Sequence, residues 1–256
     1  MENKKIISYF LNRIIHSLGV LFFIITLVFF VSHALPGDMV DIMGGQSGEM
    51  DAELMEKLRY RYGIGKPLFV QFGYYIQGLF EGDLGYSFRN NDTVFHLILE
   101  KLPTSLILVT SCIFVSISLG AFFGIVSSLG KNRLITNFIS LLSLMGFSIP
   151  IFISGLFLIV LGGSILHLFP VSGIISPRNH VNNIDIVFDI ARHLILPVSA
   201  LACYYVSVYT RMVKLHVDDI LEKEYVLMAY SRGFSTLEII FKQIFPNITL
   251  PIVTML

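Results

Sequence analysis

Charge is what this sequence has least of. Asp, Glu, Lys and Arg make up 14% of its 256 residues, against about a quarter in soluble domains, while 54% are hydrophobic and the mean hydropathy is +0.75. A soluble globular domain is excluded, and the chain reads as an integral membrane protein. Lys plus Arg equal Asp plus Glu at 18 each, so there is no strongly basic excess to hold a nucleic acid. The cysteines are two, Cys112 and Cys203, and both fall inside apolar runs, where a small buried residue is expected rather than a disulfide or a metal ligand. The centres of the apolar runs carry no acidic or basic side chain, which removes an intramembrane proton relay or a fixed ion-coupling site. H-E-x-x-H, G-x-S-x-G and metal-spaced cysteine pairs are missing too, so no hydrolytic or metal chemistry is expected. Gly65 and Lys66 imitate the end of a phosphate-binding loop, but Tyr60 stands where that loop needs glycine and Pro67 where it needs Ser or Thr. The chain is therefore expected not to be an enzyme and to bind no nucleotide or cofactor of its own. His33, Met39 and Met43 are too few and too irregular for a metal site.

What is present is a set of long apolar runs. About 20 apolar residues cross roughly 30 Å of hydrocarbon as a helix, and four stretches qualify: Ile14 to Leu35, Thr104 to Leu129, Phe138 to Leu168 and His193 to Val213. The first follows Lys4 and Lys5 and ends near Ser32 and Ala34, as a secretory signal would. Its apolar part, Ile14 to Val31, exceeds the about 7 to 15 residues of a signal core, so an uncleaved first span is expected. A cytosolic N-terminus puts Lys4, Lys5, Arg13, Lys131, Arg133, Arg211, Lys214, Lys223, Arg232 and Lys242 inside, more densely than the Lys and Arg left outside. The expected fold is an all-α polytopic membrane protein: four complete transmembrane helices, an incomplete fifth from 241 to 256, a helical extracytoplasmic region over 36–101 and a cytosolic region over 214–240. All of it reads as one domain.

In the outer region, Leu54, Met55, Leu58 and Tyr62 share a helical face that stops at Gly63, and Pro67 opens a second pattern through Phe69, Phe72, Ile76, Leu79 and Phe80. Two short amphipathic helices are expected there, followed by the turn-rich connector Gly82 to Phe88. In the second span Ser116, Gly120, Gly124 and Ser128 recur every four residues, a stripe without bulk on which another helix, of this chain or of a partner, can pack closely. The third span has Gly146, Pro150, Gly155, Gly162 and Gly163 and should kink near Pro150. Ser199, Ala200, Ala202, Cys203 and Ser207 give the fourth another slim face.

The segment EYVLMAYSRGFSTLEIIFKQIFPNITLP, from Glu224 to Pro251, is polar enough to stand outside the membrane. Asp218, Asp219, Glu222 and Glu224 suggest a helix start, where negative charge suits the dipole. Gly233 marks a left-handed stop, and S-T-L-E from Ser235 to Glu238 reads as a capping box for the next helix. Ala229 and Gly233 give the first helix a slim end that could enter a groove on another protein.

Over nearly its whole length the chain resembles the dipeptide, oligopeptide and nickel family of ATP-binding-cassette (ABC) importer permeases, in particular the first of the two permease subunits. The motifs are LPGD at Leu35 to Asp38, YGIGKPLFVQF at Tyr62 to Phe72, GDLGYSF at Gly82 to Phe88, LPTSL at Leu102 to Leu106, SIPIF at Ser148 to Phe152, FPVSG at Phe169 to Gly173, LP at Leu196 and Pro197, and EYV with A-x-x-x-G at Glu224 to Gly233. The resemblance implies a permease in the cell membrane that imports di- or oligopeptides, with nickel or a metal chelate as the alternative substrate. It implies a second permease, two ATPase subunits that carry the ATP and Mg, and an extracytoplasmic binding protein. It also implies that Glu224, Tyr225, Ala229, Gly233, Ser235 and Glu238 belong to a coupling helix docking on the ATPase. The general importer motif places Glu and Ala directly before the second Ala; Leu227 and Met228 stand there instead. Six spans are implied, so the chain is expected to be C-terminally truncated. A non-transporting scaffold or receptor is the alternative from another class.

Overall fold

A computed structural model describes residues 2–34, 52–87, 90–130, 132–176 and 183–255, and the side chains of these except at 2–6, 52–55 and 58. The LPGD motif, Met39, Met43, Phe88, Lys131, and the side chains of Leu54, Met55 and Leu58 lie outside the described residues. The described chain is almost entirely helical, and it divides into two compact units, residues 1–100 and 101–256.

In the first unit, α1 (Glu2–Ala34), α2 (Ala52–Tyr62) and α3 (Leu68–Phe80) precede a two-residue antiparallel pair, β1 (Tyr86–Ser87) and β2 (Asp92–Thr93). Helix α1 is apolar and exposed almost all round, as a helix meant for lipid must be. Its last two turns meet α3 through rings: Phe29 lies 5.1 Å from Phe72 and 5.4 Å from Tyr75, and Phe30 lies 5.7 Å from Phe72. Such pairs add about 0.5–1.5 kcal/mol each beyond the area they bury. His33 fixes the same corner, its Nε2 lying 3.3 Å from Gln71 Oε1. The connector after α3 is more than a linker. Asp83 accepts hydrogen bonds from Arg61 Nε at 2.8 Å and Gly85 N at 2.9 Å, and Tyr62 Oη lies 3.4 Å away. Burial, then the Asp83 charge, push the Tyr62 phenol above its ordinary pKa.

The second unit is built on α4 (Val94–Leu129), α5 (Arg133–Ser148), α6 (Ile151–Leu158, continued by π-helical turns over Ile159–Ile165) and α7 (Asn183–Leu221). It ends in α8 (Glu224–Ser231), α9 (Thr236–Ile239), π-helical turns over Ile240–Ile244, and α10 (Phe245–Thr254). Three helices are long and apolar enough to span a membrane, α1, α4 and α7. The pair α5 and α6, bent by 101°, makes a fourth if it is one broken span. The break falls at Ile149 and Pro150, whose extended backbones (ψ 123° and 137°) end one helix and start the next.

Helix boundaries differ from the hydropathy runs for a physical reason. Helix α4 begins at Val94 rather than Thr104, and α7 covers Asn183–Leu221 rather than 193–213, taking up the first residues of the expected polar region. Their 36 and 39 residues make helices of roughly 54 and 58 Å at 1.5 Å per residue, well beyond a hydrocarbon core of about 30 Å. Polar flanks such as Asp189, Arg192, Lys214 and Asp218 end a hydrophobic run without ending a helix. Asp218 and Asp219 consequently sit in the last turns of α7, the negative end of its dipole, and not at a helix start. Lys214 offsets this from one turn back, its Nζ 2.6 Å from Asp218 Oδ2.

Candidate functional site

The seam that holds the second unit together is made of missing side chains. A Cβ on Gly120 would lie 2.4 Å from Tyr209 Cβ, and one on Gly124 would lie 2.7 Å from Val213 Cβ and 3.0 Å from Thr210 O. Ser128, one turn on, donates from Oγ to Lys214 O at 3.2 Å, and Ser116 is buried at the other end of the stripe. The stripe thus lies along α7 of the same chain. Gly146 of α5 meets α7 equally closely, since its Cβ would stand 2.2 Å from Ser207 Oγ and 2.5 Å from Cys203 O. Small residues let backbones approach where lipid gives no hydrophobic drive to association.

Beyond this seam α7 carries an elbow. Val213, Val217 and Ile220 of α7, Ala121 of α4, Val226 and Ala229 of α8, and Ile239, Ile244 and Ile248 form one buried cluster in which Val213, Val217, Val226, Ile244 and Ile248 are 0% exposed. Residues 226 and 229, three apart, face this cluster, so Ala229 is not open to another protein. The face that is open carries Tyr225, Leu227, Met228 and Tyr230, with Leu237 and Phe241 beyond the turn. Hydropathy could not tell the two faces apart because both are apolar. The helical spacing of Val226 and Ala229 could have.

The turn between α8 and α9 is held at both ends. Gly233 has φ +82°; its N–H donates to Tyr230 O at 3.0 Å and that of Phe234 to Ala229 O at 3.1 Å, the paired bonds of a Schellman stop. Nothing lies within 4 Å of a Cβ built on Gly233, so its glycine is required by backbone conformation and not by space. Ser235 Oγ then accepts from Glu238 N at 3.3 Å, while Glu238 Oε2 accepts from Ser235 N at 2.9 Å, a complete capping box. These bonds from Ser235, with Lys242 one turn on, hold the Glu238 carboxyl below its usual pKa. Glu224 lies in the first turn of α8, and Lys223, its N-cap, makes no side-chain cap bond. The structure therefore brings Tyr225, Ala229, Gly233, Ser235 and Glu238 into one elbow, but divides them into a face, a buried anchor and a brace. Leu227 and Met228, which depart from the general importer motif, are the most open large hydrophobic residues of α8.

Among the described residues no group of three or more His, Cys, Asp or Glu could hold a metal ion. What the geometry does offer is a multi-pass helical unit with a hydrogen-bonded apolar elbow at the end of its longest described helix.

The family described as binding-protein-dependent transport system inner membrane component matches residues 116–256, and the N-terminal part of such components matches residues 6–109. The chain belongs to this family and is an ABC importer permease of the multi-pass inner-membrane type. It is 30% identical over 251 residues to the dipeptide transport system permease protein DppB of Lactococcus lactis subsp. cremoris (strain MG1363), covering 98% of this chain and 77% of that protein. To the di/tripeptide transport system permease protein DppB of Pseudomonas aeruginosa (strain UCBPP-PA14) it is 31% identical over 262 residues, 95% of this chain and 78% of the relative. The oligopeptide transport system permease protein AppB of Bacillus subtilis (strain 168) is 29% identical over 252 residues, 96% and 77% respectively.

Proposed function

We propose that this chain is the first permease subunit of an importer for di- or oligopeptides, with its N-terminus in the cytosol. The observation that carries the reading is the match to peptide permeases over 95% or more of the chain; their names favour peptides over the nickel alternative. A second permease completes the path, an extracytoplasmic binding protein delivers the peptide, and two ATPase subunits bind ATP and Mg. This chain has no nucleotide site of its own and needs a mechanical contact with those subunits. Four crossings from a cytosolic N-terminus bring the end of α7, and with it the α8–α9 elbow, to the ATPase side.

In this mechanism Tyr225, Leu227 and Met228 are the docking surface. Val226 and Ala229 transmit its displacement to α7 through the shared core, while Gly233, Ser235 and Glu238 keep the elbow from folding under load. ATP-driven closure of the ATPases moves the two elbows, and the helices attached to them exchange outward for inward access. Such coupling requires contacts that differ between the two states.

The test is uptake into proteoliposomes holding this chain, its partner permease and both ATPases, with binding protein outside and ATP inside. The expected result is ATP-dependent accumulation of a labelled dipeptide and none of nickel. Accumulation of nickel alone, or assembly without any transport as a scaffold would show, overturns the reading.

A further inference from the structure

After α6, residues 166–176 fold back against the start of α7 and border an open cavity that carries charged groups. This cavity of about 500 Å³ is lined by Gly163, His167, Phe169, Ser176, Asp189 and Arg192, within the range of about 300–1,000 Å³ usual for small-molecule sites. The fold builds it deliberately. Gly163 lets the Phe169–Val171 strap lie against the π-helical turns, since a Cβ there would stand 2.1 Å from Val171 Cγ1. His167 is held at φ +48°, a left-handed backbone rare for any residue but glycine, and its Nδ1 lies 3.2 Å from Gly163 O. A carbonyl only accepts, so Nδ1 carries the proton and Nε2 remains as the second ring nitrogen. Arg192 donates from one terminal nitrogen to Leu168 O at 3.3 Å. Among the described residues no carboxylate stands within ion-pair distance of its guanidinium.

Asp189 lies in the same cavity and accepts from Ser176 N at 2.5 Å and Ser176 Oγ at 2.9 Å. Its Oδ1 also lies 3.7 Å from His193 Nδ1, so this carboxylate is already engaged by the protein and the charge the cavity offers a ligand is the cation of Arg192. A second cavity of about 240 Å³ shares Pro170 and Val171 with the first and is walled by Ile159, Leu196, Pro197 and Ala200 together with Ser172 and His193, a mainly apolar space beside the charged one.

We infer that this pair of cavities is a peptide-recognition site of the permease itself. Arg192 takes the C-terminal carboxylate of the peptide, and the cavity beside Pro197 takes the apolar side chain next to it. The site deepens the peptide reading and rests on it. With the N-terminus cytosolic, the end of α6 and the start of α7 face outward, where a peptide released by the binding protein first meets the chain. An arginine fork matches a carboxylate with two parallel hydrogen bonds, and a C-terminal amide cannot accept both.

The experiment compares the complete reconstituted transporter with its Arg192→Gln and Arg192→Lys variants, at saturating binding protein loaded with an apolar dipeptide or with its C-terminal amide. Wild-type uptake should favour the free acid. Arg192→Gln should lower uptake of the acid about 10- to 100-fold, the usual worth of a hydrogen bond to a charged group, and erase the preference over the amide. Arg192→Lys should keep part of that preference. Both variants must assemble with their partners and hydrolyse ATP at the wild-type basal rate, since a role in folding alone would lower acid and amide uptake alike and thereby overturn the inference. Normal wild-type uptake with an unchanged acid-to-amide ratio in Arg192→Gln overturns the inference alone. No dipeptide uptake by the wild type overturns the peptide reading and the site with it.

Discussion

Gly120→Ala tests whether the seam between α4 and α7 is held by backbone approach. The added Cβ would meet Tyr209 Cβ at 2.4 Å, with Val206 O and Thr210 N both at 3.3 Å. A Cβ cannot rotate away, and carbon atoms pack at about 3.5–4.0 Å, so the helices must part by roughly 1 Å. Overpacking of this kind costs about 1–3 kcal/mol, a factor of about 5 to 150 in the folding equilibrium at 1.4 kcal/mol per tenfold. Separation also strips the contacts of Gly124 with Val213 and stretches the bond from Ser128 to Lys214 O, so the upper half of that range is expected. Gly19→Ala is the control, because α1 leaves nothing within 4 Å of that position. Equilibrium unfolding in mixed micelles followed by circular dichroism measures both. Gly120→Ala should unfold at clearly lower denaturant, whereas Gly19→Ala should match the wild type or exceed it by the helix preference of alanine, about 1 kcal/mol. Equal midpoints for the two variants refute the packing argument.

Four further outcomes follow from the elbow and from the Asp83 hub. Gly233→Val places a β-branched residue at φ +82° in open space, so about 1–2 kcal/mol of backbone strain should open the elbow to protease and reduce ATP-dependent uptake; unchanged uptake with unchanged ATPase assembly sinks the docking assignment. Ser235→Ala removes the hydroxyl half of the capping box, leaving the bond from the backbone N–H of residue 235 to Glu238, and should destabilise the elbow by about 1 kcal/mol. Because the Glu238 carboxyl is lowered in the fold, its contribution is present above its unfolded pKa and lost as the pH falls through its folded value. The protease resistance of the elbow should therefore fall in acid in the wild type and stay flat in Glu238→Gln. Asp83→Asn leaves Arg61, Tyr62 and Gly85 without their charged acceptor; the Tyr62 phenol, read as the difference from Tyr62→Phe in ultraviolet titration, should ionise at lower pH, and no movement would show that Asp83 does not act on it.

The spans, the break and the caps were legible because each has a local cause. Apolar length marks α1, α4 and α7, Pro150 marks the break, and Gly233 followed by S-T-L-E marks the elbow. The inward turn of Ala229 was legible only in its helical spacing from Val226; the floor it meets was not, since that depends on α7 continuing to Leu221 and offering Val213, Val217 and Ile220. Hydropathy ended that helix at Val213 because Lys214 and Asp218 follow, although the two pair with each other on its surface. Asp83 as the hub of the connector, and His167, Asp189 and Arg192 as the walls of one cavity, were equally hidden. Their meeting depends on how a loop folds back, which neither spacing nor composition encodes.

The central claim is that the open face of α8 is where this permease meets its ATPase, and photo-crosslinking tests it most directly. With benzoylphenylalanine in place of Met228 in the assembled transporter, the account predicts an adduct with an ATPase subunit, while the same probe at Phe157, an exposed position on α6, gives none. Assembled, ATP-hydrolysing complexes in which the Met228 probe yields no ATPase adduct contradict it.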